Sequence, residues 1–264
     1  MRNHSRYELP VLGSLSRARP LRQRPLPPAL TSSDALIPRG HVTLESKLGE
    51  GFYGVVYRGL WAGTPVAVKR LKHNRRGAED VQAFQDEARV LRDLRHPCIT
   101  TFYGVTSEES LMVTELLTTS LFHAIHTDNM MLSHRLCRRI AMDISKGAAY
   151  MHSLSPPIIH RDMSSGNILL TGEVEQLEAI VAETKGKGGE TAKLSDFGLS
   201  RPVSDDMTAR PGNLSYMAPE LFRGENYTEK VDIYAFAIIL WEMFMGEKPF
   251  LKAGNPQKVA NNVS

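Results

Sequence analysis

Hydrophobic positions show no period over residues 1–40, and a regular pattern begins near His41. The stretch Val42–Trp61 reads as two strands around a glycine-rich turn, and Val66-Ala67-Val68-Lys69 as a short apolar strand. From about Ala78 to Leu94, Val81, Phe84, Ala88 and Leu91 recur at helical spacing, and Pro97 stops that helix. Two strands follow, Ile99–Tyr103 and Leu111–Glu115. A long helix from about Ser133 to His152 carries the stripe Leu136, Ile140, Ile144, Ala148 and Met151. Past a Pro-rich turn comes a loop from His160, then short strands at Ile168–Leu170 and Lys193–Ser195. Between those strands, Val174, Leu177 and Val181 fit a short amphipathic helix within Thr171–Ala192, which reads as a solvated insertion. The last helix is Val231–Met245. Strands first and helices second predict an α+β chain of two lobes, a small β-rich N-lobe over about 41–116 and a larger helical C-lobe from about 117.

Composition narrows the class. Of the 264 residues 42% are hydrophobic, enough for a core, and the net charge is only +3. Residues 1–40 hold seven Arg against only Glu8 and Asp34, with many prolines, which predicts a disordered tail. The same acid-poor, Arg-rich composition suits an organelle transit peptide, although its prolines oppose the amphipathic helix such peptides form. Nothing outside that stretch asks for a nucleic-acid partner. Cys98 and Cys137 are too few for a disulfide framework and fit a reducing compartment, the cytoplasm. The most apolar run, Val231–Met245, is interrupted by Asp232 and Glu242 and falls short of the roughly 20 residues of a membrane span. It reads as a buried helix, so no transmembrane segment is expected.

Six local patterns carry chemistry. Gly49-Glu50-Gly51-Phe52-Tyr53-Gly54-Val55-Val56 places glycines where backbone can approach phosphates without obstruction. Alone it also fits an ordinary hairpin, and the strand residues after it exclude a Rossmann turn. Lys69 ends an apolar strand. Glu87 lies between Phe84 and Leu91 on the apolar face of its helix, where a carboxylate needs a cation, and Lys69 is the candidate. A Glu at the edge of the stripe is the plainer reading of Glu87 by itself. His160-Arg161-Asp162 with Asn167 puts a carboxylate and an amide on one loop, which suits orienting a hydroxyl and holding a metal. Asp196-Phe197-Gly198 follows a strand and offers hard oxygen ligands, and Ala218-Pro219-Glu220 closes the series.

In this order the patterns resemble a eukaryotic protein kinase catalytic domain over about residues 41–260. Arg58-Gly59-Leu60-Trp61-Ala62-Gly63-Thr64 and Tyr216-Met217-Ala218-Pro219-Glu220 are similar to the tyrosine-kinase-like group. The resemblance implies a protein substrate and two cofactors, ATP and Mg²⁺. Leu48 to Val56 would cover the phosphates, with Lys69 on the α- and β-phosphates and paired with Glu87. Asp162 would accept the substrate proton, and Asn167 and Asp196 would hold Mg²⁺. Adenine would lie between Val56 and Ala67 on one side and Leu169 on the other. The hinge would be Glu115 to Leu117, behind the gatekeeper Thr114. Leu91, Phe102, His160 and Phe197 match the spine linking the lobes. Arg161 suggests control by phosphorylation within 199–215, at Ser200, Ser204, Thr208 or Ser215.

Three departures qualify the resemblance. Ser164 stands where serine/threonine kinases usually carry Lys, and Gly166 where tyrosine kinases can carry Arg. Asn213 stands where Thr usually faces the catalytic Asp. The Tyr216–Glu220 context favours Ser/Thr acceptors over Tyr, while Ser164 and Asn213 also fit a pseudokinase that binds nucleotide or a partner without efficient transfer. The chain stops at Ser264, whereas the family continues with further helices and an Arg that pairs with the Glu of Ala-Pro-Glu. The expectation is a C-lobe lacking its last helices, with Glu220 unpaired and one face of Val231–Met245 open unless a partner covers it.

Overall fold

The computed structural model describes residues 36–51, 54–72, 77–106, 111–184, 188–202 and 213–250. The tail expected over residues 1–40 lies mostly outside them. Its end does not: β1 (Leu36–Ile37) pairs in parallel with β5 (Phe102–Thr106), and Ile37 is buried. The ordered lobe therefore starts before His41, because one apolar residue is enough to seat a short edge strand.

A six-stranded sheet forms the first lobe, in the order β1, β5, β6 (Leu111–Glu115), β4 (Thr64–Leu71), β3 (Gly54–Trp61), β2 (Val42–Glu50). Val42, Val66, Val68, Leu111 and Val113 pack with Ile37 on one face. On the other face lies α1 (Ala78–Asp93), whose Phe84, Ala88 and Leu91 are buried as the helical period requires.

The strand expected at Ile99–Tyr103 divides in two. Phe102 onward enters the sheet, but Ile99 bridges Leu194, and the Thr100 N–H donates to Leu194 O at 2.9 Å. This connection thus ties the first lobe to β10 (Ala192–Leu194) of the second.

The second lobe is built on α3 (His134–His152). Ser133 caps it, accepting from the Leu136 N–H, and its predicted apolar stripe is buried. Beside it run β7 (Thr119–Ser120), α2 (Leu121–His126), β8 (Ile158–Ile159), β9 (Ile168–Leu170), β11 (Arg201–Pro202), α5 (Pro219–Phe222) and α6 (Lys230–Met245). Gly147 lets α3 lie against β10, since a Cβ there would meet Leu194 Cδ1 at 2.8 Å and Cys98 O at 3.0 Å. Burial pushes the Cys98 and Cys137 thiols up to about 11, so both are unreactive packing residues. Among the described residues no helix is long and apolar enough to cross a membrane. On α6, Ile233, Trp241, Phe244 and Met245 remain exposed.

The helix of the insertion is docked on one face, not surrounded by solvent. This helix, α4 (Val174–Glu183), buries Val174, Leu177 and Val181 and packs on α3. The Glu178 carboxylate accepts from the Ser133 N–H and hydroxyl at 2.7 and 2.6 Å, and Arg139 donates to the carbonyls of Gly188 and Gly189 at 2.7 Å. The period was readable, but which neighbour it faced was not. Leu177→Ala is expected to lower unfolding free energy by about 2–5 kcal/mol in denaturant melts, while Ile180→Ser on the exposed face stays within about 0.5 kcal/mol. Equal, small effects would mean the insertion is not part of the core.

Candidate active site

Between the sheet and the segments carrying β7, α2 and β9 lies a cleft of about 460 Å³. Leu48, Gly49, Val56, Ala67, Lys69, Glu87, Thr114, Glu115, Leu117, Asn167, Leu169 and Asp196 all line it, so most of the predicted site comes together. Glu50, Gly51, Gly54 and Val55 shape the turn instead. The Gly51 N–H donates to Gly54 O at 2.9 Å, and a Cβ on Gly54 would lie 2.7 Å from Arg70 O. Around Gly49 a Cβ would meet nothing, so the open side of the turn faces free space. Glu50 turns outward to Lys47 and Lys72, which hold its carboxyl down at about 2. Phe52 and Tyr53 lie outside the described residues.

Lys69 reaches across the cleft. Its Nζ donates to both Glu87 oxygens at 2.7 and 2.8 Å and to Asp196 Oδ1 at 2.9 Å. Burial opposes the Lys69 charge, but Asp196 and Glu87 outweigh it and hold its pKa above the ordinary value. Burial pushes Glu87 up to about 6 against the pull of Lys69, while Lys69 draws Asp196 below the usual carboxylate range. The buried carboxylate on the apolar face of α1 therefore has the partner its position requires.

Asp162 does not line this cleft: it meets Asn167, which does, and lines a second, small cleft with Asn213, Tyr216 and Met217. Its Oδ2 accepts from Asn167 Nδ2 at 3.0 Å and its Oδ1 from the Asn213 N–H at 3.1 Å. Burial raises its pKa, and the Asn213 N–H works against that rise. Asn213 thus meets Asp162 through its backbone, and its side chain instead accepts from the Ser215 N–H. Arg161 and Asp196 both adopt left-handed backbone, at φ 63 and 56. Such conformations cost about 1–3 kcal/mol and cluster at working sites. His160 and Phe197 are fully buried with ring centroids 4.8 Å apart, in one cluster with Leu91 and Phe102 on the Phe197 side.

Among the expected phosphorylation sites, Ser200 is buried and donates to His160 O at 3.1 Å, so its hydroxyl has a structural task. Ser204 and Thr208 lie outside the described residues, and Ser215 is half-buried. Glu220 is half-buried as well.

Several working residues escaped sequence reasoning. Lys193 binds both oxygens of Glu115, at 2.7 and 2.9 Å, and the Thr101 N–H joins them at 2.6 Å. Asp232 accepts from the backbone N–H groups of His160 and Arg161, each at 2.9 Å, and from His152 Nε2 at 2.8 Å. Glu242 is wholly buried among Ser165, Tyr216 and His126. The available signal was a charge inside an apolar run, visible at 232 and 242.

Asp196 and Asn167 are hard oxygen donors of the kind Mg²⁺ prefers. They adjoin, since the Ser195 N–H donates to Asn167 O at 2.9 Å. The Asn167 amide nitrogen is spent on Asp162, which leaves its carbonyl oxygen for a cation. No group of three or more His, Cys, Asp or Glu able to hold a metal occurs among the described residues. A divalent ion here would complete its shell with phosphate oxygens and water.

A two-lobed α+β fold with a Lys–Glu–Asp bridge across its cleft and an Asp–Asn loop beneath defines a phosphotransferase-type scaffold. Residues 42–264 match the protein kinase domain family, and the chain belongs to it. It is 39% identical over 228 residues to a probable serine/threonine-protein kinase of Dictyostelium discoideum, covering 83% of this chain and 22% of that one. It is 38% identical over 239 residues to the probable serine/threonine-protein kinase SIS8 of Arabidopsis thaliana, covering 88% and 21%. A seven transmembrane domain-containing tyrosine-protein kinase of Dictyostelium discoideum is 37% identical over 212 residues, covering 76% and 28%. The matched region spans between a fifth and three tenths of these relatives. Relatives of both serine/threonine and tyrosine type accord with the tyrosine-kinase-like resemblance.

Lys69→Met is expected to cost about 3–5 kcal/mol of stability, because Glu87 is left buried without its cation. Lys69→Met/Glu87→Leu should recover most of it in the same denaturant melt. A single variant as stable as the parent would mean that Glu87 does not depend on Lys69.

Proposed function

We propose that this chain transfers the γ-phosphoryl group of ATP to Ser or Thr hydroxyls of proteins, with Mg²⁺ as cofactor, in the cytoplasm. The observation that carries this reading is Lys69, held by Glu87 and Asp196 at once, so that both lobes meet at the phosphate end of the cleft. The apolar lining of Leu48, Val56, Ala67 and Leu169 suits adenine. The backbone of Leu117 has no hydrogen-bond partner among the described residues and borders the same cleft, which suits recognition of the base edge.

Asp162 orients the acceptor hydroxyl and takes its proton. The acceptor oxygen bonds to the γ-phosphorus as the bond to the β–γ bridging oxygen breaks, leaving ADP. Lys69 holds the α- and β-phosphates, and Asn167 and Asp196 hold Mg²⁺. The bound ion supplies charge neutralisation on the phosphate oxygens. Catalysis here is positioning and electrostatics. Ser164 brings no positive charge, which supports a slower enzyme or, as a second reading, a pseudokinase.

With labelled ATP–Mg²⁺ and a generic protein substrate, incorporation into phosphoserine and phosphothreonine is expected. Asp162→Asn should lower it by about 10²–10⁴-fold, and chelation of Mg²⁺ should abolish it. A folded chain that binds ATP yet transfers nothing would leave the pseudokinase reading.

A further inference from the structure

Glu242 is cut off from bulk solvent: its side chain is 0% exposed. A carboxylate in that position needs donors for its oxygens and a cation for its charge. Three donors come from three separate elements. His126 Nε2 lies 2.7 Å and Ser165 Oγ 2.8 Å from Oε1, and Tyr216 OH lies 2.8 Å from Oε2. Burial and the Glu242 charge raise the Tyr216 pKa, so this hydroxyl stays a donor. Of the three, only the imidazole of His126, itself 5% exposed, can bring a positive charge. Lys248 lies over the Phe122 ring at 5.2 Å, and Phe122 in turn packs on His126 at 4.8 Å.

What Glu242 holds gives the cluster its role. Ser165 opens the three-residue turn that ends at Asn167, and Tyr216 closes the three-residue turn Leu214–Tyr216 that Asn213 caps. Asn167 and Asn213 are the two residues that donate to the two oxygens of Asp162. Both turns are therefore fastened to one buried carboxylate. The imidazole that meets it comes from α2, which follows the hinge and β7 directly.

We propose that His126 is a positioning residue for phosphoryl transfer: as the imidazole partner of Glu242, able to carry the balancing charge, it keeps the two turns that orient Asp162 in register. The residue touches neither cleft and acts only through Glu242.

The test compares His126→Gln, which keeps an N–H donor and removes the charge, with His126→Gln/Glu242→Gln, which removes both charges and keeps the hydrogen bonds. His126→Gln is expected to lower kcat by about tenfold or more while the KM for ATP stays within about twofold. Amide exchange in the 162–167 loop should accelerate in that variant. The double variant should regain most of the kcat and of the exchange protection. A His126→Gln enzyme with parental kcat and loop protection overturns the proposal, and so does a double variant no better than the single one. Should the single variant fail to fold, recovery of a folded, active double variant supports the proposal and its absence overturns it. The inference rests on the phosphoryl-transfer reading. Absence of transfer by the parent chain overturns that reading, and amide exchange then decides this one.

Discussion

A carboxylate taken out of water must be met by donors, and this fold turns that requirement into fastening points. Glu87, Asp143, Asp232 and Glu242 are all at most 4% exposed. None is satisfied within its own element alone. Glu87 on α1 is met by Lys69 on β4. Asp143 on α3 accepts the Thr191 N–H and hydroxyl at 2.7 and 2.9 Å, which anchors the end of the insertion. Asp232 and Glu242, ten residues apart on α6, hold the loop from His160 to Asn167 from below. An apolar contact would tolerate sliding. A buried charge with two or three directed hydrogen bonds does not, because any misfit leaves a desolvated oxygen at about 1–3 kcal/mol.

This arrangement explains how strained backbone persists where the chemistry is. Left-handed Arg161 would relax if its N–H were free, but Asp232 holds that N–H and the neighbouring one of His160. Left-handed Asp196 has its carboxylate drawn across to Lys69. The strain at both positions is offset by ion pairs and hydrogen bonds that would be lost if it relaxed. The spine residues His160 and Phe197 sit between these two points, so apolar packing and charge placement secure the same geometry.

The legible part of the sequence was whatever depends on local period or on spacing along one loop. Strand β6 and strand β9 fall where the pattern puts them, and α1, α3 and α6 differ from expectation by one residue at their ends. The Lys69–Glu87 pair was legible because a charge on an apolar face has few explanations. The illegible part depends on partners far along the chain. Ile99 and Thr100 look like the start of a strand, yet their hydrogen bonds go to Leu194. Leu36 and Ile37 look like the end of a tail until β5 supplies an edge. Residues Val174, Leu177 and Val181 show a stripe without showing that α3 waits for it. Asp232 and Glu242 were noticed only as interruptions of an apolar helix, because nothing in their spacing names the backbone or hydroxyl groups they meet.

Ser164 makes the same constraint bear on function. It is buried, and its carbonyl accepts the Asn167 N–H at 3.0 Å, so the position is part of the turn's framework. A long cationic side chain could supply transition-state charge from such a place only by leaving the packed interior. This loop instead has a small residue at 164 and a buried hydroxyl at 165 aimed at Glu242. On the phosphoryl-transfer reading, with no charge contributed there, orientation of Asp162 by Asn167 and Asn213 carries a larger share of the work, and that orientation traces back through two short turns to one carboxylate on α6.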